Sequence, residues 1–265
     1  FEKDSISWGP NNTFHFPKHG GTGAIWNAVA KIVGEDKFQL NTALTEVSSA
    51  RKEAKLSDGT TVQFENILST IPLNLFTTMV EEVGPDLKQK ANGLKYSSAN
   101  IIGIGLKGRP KSDLATKCWM YFPEDNCPFY RVTLFSNYSS FNVPDSDVYF
   151  SLMAEVSESP KKAVDRDNVI ADTIEGLLNT TLIDKTHEIV STWSYFAPYG
   201  YPIPSLERDH ILTEVIPTLD KMQMYSRGRF GGWKYEVSNQ DHSFMQGVEW
   251  VNWITAGEKE STFNV

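Results

Sequence analysis

The sequence is short of nearly everything that marks a secreted, membrane-spanning or metal-dependent protein. Its 265 residues hold two cysteines, Cys118 and Cys127. That is too few for a disulfide scaffold and points to a reducing compartment, so a cytoplasmic location is the expectation. No run is apolar enough to cross a bilayer, and no signal peptide is expected. The five histidines show no metal spacing, and the cysteines do not make a C-x-x-C pair, so no metal centre is expected. The Gly-x-Ser-x-Gly elbow of a serine hydrolase is absent. Basic residues are outnumbered: 25 Lys and Arg against 33 Asp and Glu give a net charge of −8. Such a chain offers no broad face to nucleic acid, and an anionic ligand must be met by a few well-placed arginines. Repeats and low-complexity segments are missing too.

What is present is an ordinary globular composition, 40% hydrophobic, at a length that suits one large or two ordinary domains. Phe1-Glu2-Lys3-Asp4 makes a poor domain start, and the chain reads as the later part of a longer protein. Residues 8–26, WGPNNTFHFPKHGGTGAIW, are the most informative stretch. Gly20-Gly21-Thr22-Gly23 runs into a helical pattern over 22–33, with Ala24, Ile25, Ala28, Val29, Ile32 and Val33 on one face. Glycines ahead of a helix let backbone N–H groups approach an anion or a flat ring. The same letters also serve a tight turn into a core helix.

Short strands are expected at Lys37–Leu40, Leu44–Val47 and Ile67–Thr70, with a hairpin over 54–64 turning at Asp58-Gly59. This order suits the later half of a dinucleotide-binding domain, whose G-x-G-x-x-G fingerprint should come earlier. Gly103, Gly105 and Gly108 match its letters, but Arg109-Pro110 follows instead of a helix, so they read as part of a strand. From about 95 the chain turns β-rich: Ile101–Leu106, Cys118–Phe122, Phe129–Phe135 and Val148–Val156 predict an antiparallel sheet. Helices are predicted over Asp165–Leu178, Leu206–Met222 and Gln240–Ile254, and a strand over Ile189–Tyr195. The fold class is mixed α/β (α+β): a partial dinucleotide-binding, Rossmann-like domain plus an antiparallel sheet domain. The expected spans are 1–94 for the later part of the dinucleotide-binding domain, 95–205 for the sheet domain, and 206–265 for a return to the first.

Two clusters can carry chemistry. In CWMYFPEDNCPFYR, Trp119 and Tyr121 sit two apart on one strand face, and Phe129 and Arg131 share a face on the next. Tyr138 follows shortly after. Rings stack on a nucleotide base and a guanidinium forks onto phosphate oxygens. An aromatic packing face with Arg131 in a surface ion pair is the plainer alternative. The second cluster, RGRFGGWKY followed by NQDHS, surrounds Arg229 with glycines and opens a helix on polar residues. It can hold a cofactor edge or a phosphate, or be a turn capped by Asn239. Cys127 before Pro128 has no neighbouring base and reads as a core cysteine.

Taken together, WGPNNTF, FPKHGGTGAIW, CWMYFPEDNCPFYR, FSNY, GYPIP and GRFGGWKYEVSNQDHSFM resemble the eukaryotic-type UDP-galactopyranose mutases over nearly the whole chain and in order. The resemblance implies an amine-oxidase-like flavoprotein architecture and a flavin-dependent isomerase. Such an isomerase interconverts UDP-galactopyranose and UDP-galactofuranose through a flavin–sugar adduct, for galactofuranose in cell-wall and other glycoconjugates. FAD is reduced for activity by NADPH or NADH. The flavin is the nucleophile, so no catalytic side chain is expected within this chain. Asn11 would lie on a flap over the substrate. Trp119 and Tyr121 would line the nucleotide-sugar cleft. Arg131 would hold the diphosphate with the hydroxyls of Tyr138, Tyr201 and Tyr235, and Asn239 would face the flavin–sugar junction. Gly20, Gly21, Leu44, Arg229, Gln240 and Ser243 would contact FAD.

The family's FAD fingerprint, its flavin-adjacent histidine, the arginine of a second flap and much of the uracil site lie upstream in the family and have no counterpart in these residues. The chain therefore corresponds to the C-terminal half to two-thirds of such an enzyme, with the N-terminal part of the same enzyme as its missing partner. A homo-oligomer is compatible with the resemblance; nucleic acid and membrane are not expected partners. Two other readings stay open: an amine-oxidase-type flavoenzyme, and a non-catalytic UDP-sugar-binding module. These 265 residues alone are expected not to retain FAD, because the glycine loop that receives its pyrophosphate is missing. Mixing the isolated polypeptide with excess FAD, desalting and recording the visible spectrum tests this; a stoichiometric flavin band overturns it.

Overall fold

The computed structural model of the protein describes residues 14–264. Asn11 lies outside that range. In chain order the elements are α1 (Gly23–Val33), β1 (Leu44–Ser48), β2 (Glu53–Leu56), β3 (Thr61–Gln63), β4 (Ile67–Ser69), α2 (Leu73–Met79) and α3 (Pro85–Ala91). Then follow β5 (Tyr96–Lys107), β6 (Trp119–Tyr121), β7 (Arg131–Leu134), β8 (Tyr149–Glu158), α4 (Val169–Asn179), β9 (Glu188–Pro202), α5 (Arg208–Lys221), β10 (Met224–Ser226) and α6 (Gln240–Ala256). The described residues form two compact units. One holds 14–38, 100–157 and 162–196, and the other holds 39–99, 158–161 and 197–264.

The first unit is built on a sheet in the order β6-β7-β8-β5-β9. β6 with β7 and β7 with β8 are antiparallel, as the alternating pattern predicts. Pleating sends successive side chains to opposite faces. One face is apolar: Val132 and Leu134 of β7, Leu152, Ala154 and Val156 of β8, and Ile102, Ile104 and Leu106 of β5 are all buried. They pack with Val169 and Leu177 of α4 in one core. Gly176 lets α4 come this close, since a β-carbon there would lie 2.7 Å from Pro128 and 3.0 Å from Cys127. The opposite face takes the other register: Trp119 opposite Thr133 opposite Met153, and Tyr121 opposite Arg131 opposite Glu155. Gly103 and Gly105 join that face beside Trp193 and Ser191.

Several local expectations are corrected. Phe129 does not share a face with Arg131. The strand begins only at Arg131, and Phe129 is turned into the core, 5.1 Å from the Phe122 ring. Lys37–Leu40 is not a strand: Gly34, at φ 105°, ends α1, and a 3-10 turn follows at Glu35–Lys37. α4 starts at Val169, not Asp165, because the Asp165 carboxylate takes the Asp167 N–H and the Asn168 side chain in a competing local turn. α1 forms where expected but buries no residue, and Ile32 is 86% exposed.

In the second unit, β1, β2 and β3 make an antiparallel sheet. Its hairpin turns where Asp58 accepts the Thr60 N–H at 2.9 Å and Gly59 takes φ 86°. β10 pairs with β4 in parallel, the pairing a dinucleotide-type domain requires. The core gathers Leu73 and Phe76 of α2, Leu212, Val215 and Leu219 of α5, and the fully buried Trp233, whose indole N–H donates to the Lys95 carbonyl at 3.1 Å.

Two carboxylates act as clamps on loop backbone. Glu82 accepts the N–H groups of Ser49 and Ala50 and the Ser48 hydroxyl. Glu249 accepts the N–H and hydroxyl of both Ser261 and Thr262. These bonds outweigh the opposing effect of burial and hold both carboxyls down to about 2. A depressed carboxyl stabilises the fold fully above its ordinary value of 4.5, and that stability is lost as pH falls through about 2. Glu82→Gln and Glu249→Gln should each cost about 1 kcal/mol at pH 7, a modest figure because both groups are solvent-screened. The deficit should shrink as pH falls from 5 towards 2, read by denaturant melts of the full-length protein. A deficit independent of pH would show that charge is not what the clamps use.

Candidate functional site

The outward face of the first unit's sheet carries four of the expected residues. Trp119 and Tyr121 stand on β6, 38% and 57% exposed, and Arg131 stands opposite Tyr121 on β7. Tyr138 follows the turn after β7, its ring in edge contact with Phe14 and Phe16 at 5.0 Å and with Trp119 at 6.2 Å. Phe14 stacks on Trp119 at 5.2 Å and 19°. The loop that carries Phe14 and Phe16 is pinned by the Ser139 hydroxyl, which donates to the Lys18 carbonyl at 2.7 Å. Gly20 and Gly21 close that loop at φ 77° and 61°, a conformation other residues resist, and hand the chain to α1. Burial pushes the Tyr138 phenol up to about 12, so it remains a proton donor throughout the neutral range.

Arg131 is not a surface ion pair. It is held by Glu155, which is 5% exposed: Nε donates to Oε1 at 2.7 Å and Nη2 to Oε2 at 2.8 Å. The Tyr130 hydroxyl donates to the same carboxylate at 2.6 Å. Two consecutive residues reach one acid because the ladder is locally bulged: the Tyr130 N–H bonds to the Glu155 carbonyl, while Arg131 is the residue in register with it. Glu155 was missed in the sequence reading. The signal was there, since it is the lone charge in the strand pattern of Val148–Val156 and falls in the non-core phase with Ser151 and Met153. On the same face, Gly103, Gly105, Ser151, Met153 and Trp193 border a hollow of about 730 Å³.

The second unit brings together a different group. The Arg229 guanidinium lies 4.5 Å over the Tyr201 ring, and its Nη1 donates to the Ser238 carbonyl at 3.1 Å. Tyr235 is 6.3 Å from Tyr201. Asn239 and Gln240 are exposed at the start of α6, where Asn239 is the cap residue but makes no side-chain cap bond. The Ser243 N–H bonds back to the Asn239 carbonyl. The loop is braced at both ends. Buried Gln246 accepts from the Gly228 N–H and donates to the Val237 carbonyl, each at 2.7 Å, and Arg208 grips Glu236 through two bonds of 2.8 and 2.9 Å. These braces were also missed. Leu44 stands apart from this group, on β1 against the second unit's core.

Chemically, the first group offers a fixed guanidinium among aromatic rings, suited to a phosphorylated ligand with a planar base. The second offers a guanidinium beside the unpaired first N–H groups of a helix, suited to an anionic or carbonyl-rich cofactor edge. Burial pushes both thiols up, so neither Cys118 nor Cys127 is a poised nucleophile. Among the described residues no group of His, Cys, Asp and Glu could hold a metal, and no helix is long and apolar enough to cross a membrane.

The chain is similar to a structure of reduced UDP-galactopyranose mutase, with 42% identity and a TM-score of 0.94. The match covers 98% of this chain and 56% of that one. The chain thus spans little more than half the length of that relative, and the resemblance expected from the motifs is met there. The fold alone is shared with a putative protoporphyrinogen oxidase from Exiguobacterium sp. 255-15, at 14% identity and TM-score 0.60, covering 77% of this chain and 45% of that one. It is shared as well with a CLA-producing fatty acid isomerase from P. acnes, at 11% and 0.64, covering 89% and 52%. The family described as flavin containing amine oxidoreductase matches residues 2–208. Since that match takes in most of the chain, the sheet with its paired Arg131 included, this protein belongs to the flavin-containing amine oxidoreductases.

Proposed function

We propose that the protein carrying this chain is a flavin-dependent UDP-galactopyranose mutase, interconverting UDP-galactopyranose and UDP-galactofuranose. The observation that carries this reading is the guanidinium of Arg131, aimed by a buried carboxylate on an aromatic sheet face, in a chain 42% identical to a protein of that name. In this reading Trp119 and Tyr121 line the nucleotide-sugar cleft, Arg131 takes the diphosphate, and the protonated Tyr138 supplies a further donor to it. Tyr201, Tyr235 and Asn239 are further substrate-binding residues in this reading. Gly20, Gly21, Leu44, Arg229, Gln240 and Ser243 hold FAD. Asn11 serves as the flap residue. The span 95–205 acts as the substrate sheet domain, and 1–94 with 206–265 belong to the FAD domain.

FAD, when bound and reduced by NADPH or NADH, supplies the nucleophile that displaces the nucleoside diphosphate. The side chains then have two tasks. They fix the sugar's orientation, and they neutralise the diphosphate while it is detached, so that it is retained for return to the sugar. Neither task asks for a strong acid or base. A cytoplasmic location and a role in making galactofuranose for glycoconjugates go with this reading.

In the full-length enzyme, Arg131→Ala should weaken UDP binding by roughly 2–5 kcal/mol, which includes leaving Glu155 buried without its partner. Arg131→Lys should recover only part, because an ammonium keeps the charge and loses the fork. FAD content should stay normal in both. Calorimetry with UDP on reduced enzyme decides: affinity within twofold of the parent for Arg131→Ala would remove the diphosphate from this site.

A further inference from the structure

Glu155 raises a problem for any anion site built on Arg131. A buried carboxylate 2.7 Å from the guanidinium opposes an incoming diphosphate, and the same bonds occupy the Nε edge of the fork. An arginine needed only for charge would bind anions more tightly without it. The carboxylate is nevertheless held in place by two independent donors, Arg131 and Tyr130, through a local bulge. The strand ladder fixes its backbone on β8, and those two donors hold its side chain against Arg131.

We propose that Glu155 is a positioning residue with two opposed effects, resting on the reading of Arg131 as the diphosphate anchor. Its geometry aims the guanidinium by removing the freedom of a long side chain and holds the fork in one orientation. Its charge offsets part of the positive field and caps the affinity for the nucleoside diphosphate, so that the bound diphosphate is not trapped. Aim and charge are separable by substitution. Glu155→Gln keeps the length and the oxygen facing Nε, removes the charge and gives up the bond from Nη2, because an amide NH2 cannot accept there. Glu155→Asp keeps the charge but draws the carboxylate back by one methylene.

The test is calorimetry with UDP on the full-length reduced holoenzyme, with uridine as the uncharged probe and melting temperatures recorded alongside. Glu155→Gln should bind UDP about three- to tenfold more tightly, with uridine affinity unchanged, because only the phosphates feel the removed charge. In turnover it should lower KM and not raise kcat. Glu155→Asp should bind UDP about three- to tenfold more weakly, again with uridine unchanged, since the loss is one of aim. A purely structural role predicts that both variants shift UDP and uridine together, in step with melting temperature, and that result overturns the proposal. So does a Glu155→Gln enzyme that binds UDP no more tightly than the parent. If Glu155→Gln does not fold, an unchanged UDP affinity in Glu155→Asp overturns it alone. Arg131→Lys separates the two levels of the argument. If it leaves UDP affinity untouched, the anchor reading falls and the proposal with it; if it weakens UDP while Glu155→Gln gives no gain, only the proposal falls.

Discussion

The Arg131–Glu155 pair is the interaction around which the polar face of the first unit's sheet is organised. A carboxylate that is 5% exposed is costly unless its lone pairs are met. Here they are met by a fork and a phenol, all delivered from the neighbouring strand. The bulge at Tyr130–Arg131, the pairing of Tyr121 across from Arg131, and the turn that brings Tyr138 back to Trp119 follow from the same register. The core on the other side makes this possible. Val132, Leu134, Leu152 and Ala154 fix the strands by apolar packing, so the polar face need not supply stability of its own.

The second unit solves a related problem by another route. Its arginine, Arg229, is carried on a loop, and loops lack a ladder to fix their side chains. The fixing comes instead from outside the loop: Gln246 closes it through its backbone, Arg208 grips Glu236, and Trp233 anchors its middle in the core. Arg229 itself lies flat on Tyr201. Both arginines are thus held by neighbouring groups of their own unit, one by a charge and the other by a ring and a carbonyl.

Much of this could be read from residue order. Period-two patterning marked β5, β7 and β8 and put Trp119 and Tyr121 on one face of β6; that Arg131 stands opposite Tyr121 came from the register. It failed at Phe129, because alternation presumes a strand and Pro128 delays the strand to Arg131. Asp58-Gly59 gave the hairpin, but nothing local marked α2 or α3, each 7 residues long and dependent on core contacts. The partners of the arginines were harder still. Glu155 lies 24 positions beyond Arg131, and Glu236 lies 28 beyond Arg208. Such pairings depend on which strands and loops become neighbours, and that information is not local. For α1 the sequence left a core helix as one alternative, and among the described residues its apolar stripe is largely exposed.

The two-faced sheet of the first unit also sets how the protein can change over evolutionary time. Along β8, Leu152, Ala154 and Val156 answer to volume, where a neighbour of similar size can compensate a change. Met153 and Glu155, between them, answer to what lies beyond the sheet. One strand therefore carries two clocks, and drift at alternate positions should be governed by unrelated constraints. Substitution at the odd positions of β8 alters the polar face and leaves undisturbed the apolar packing that keeps the strand in place.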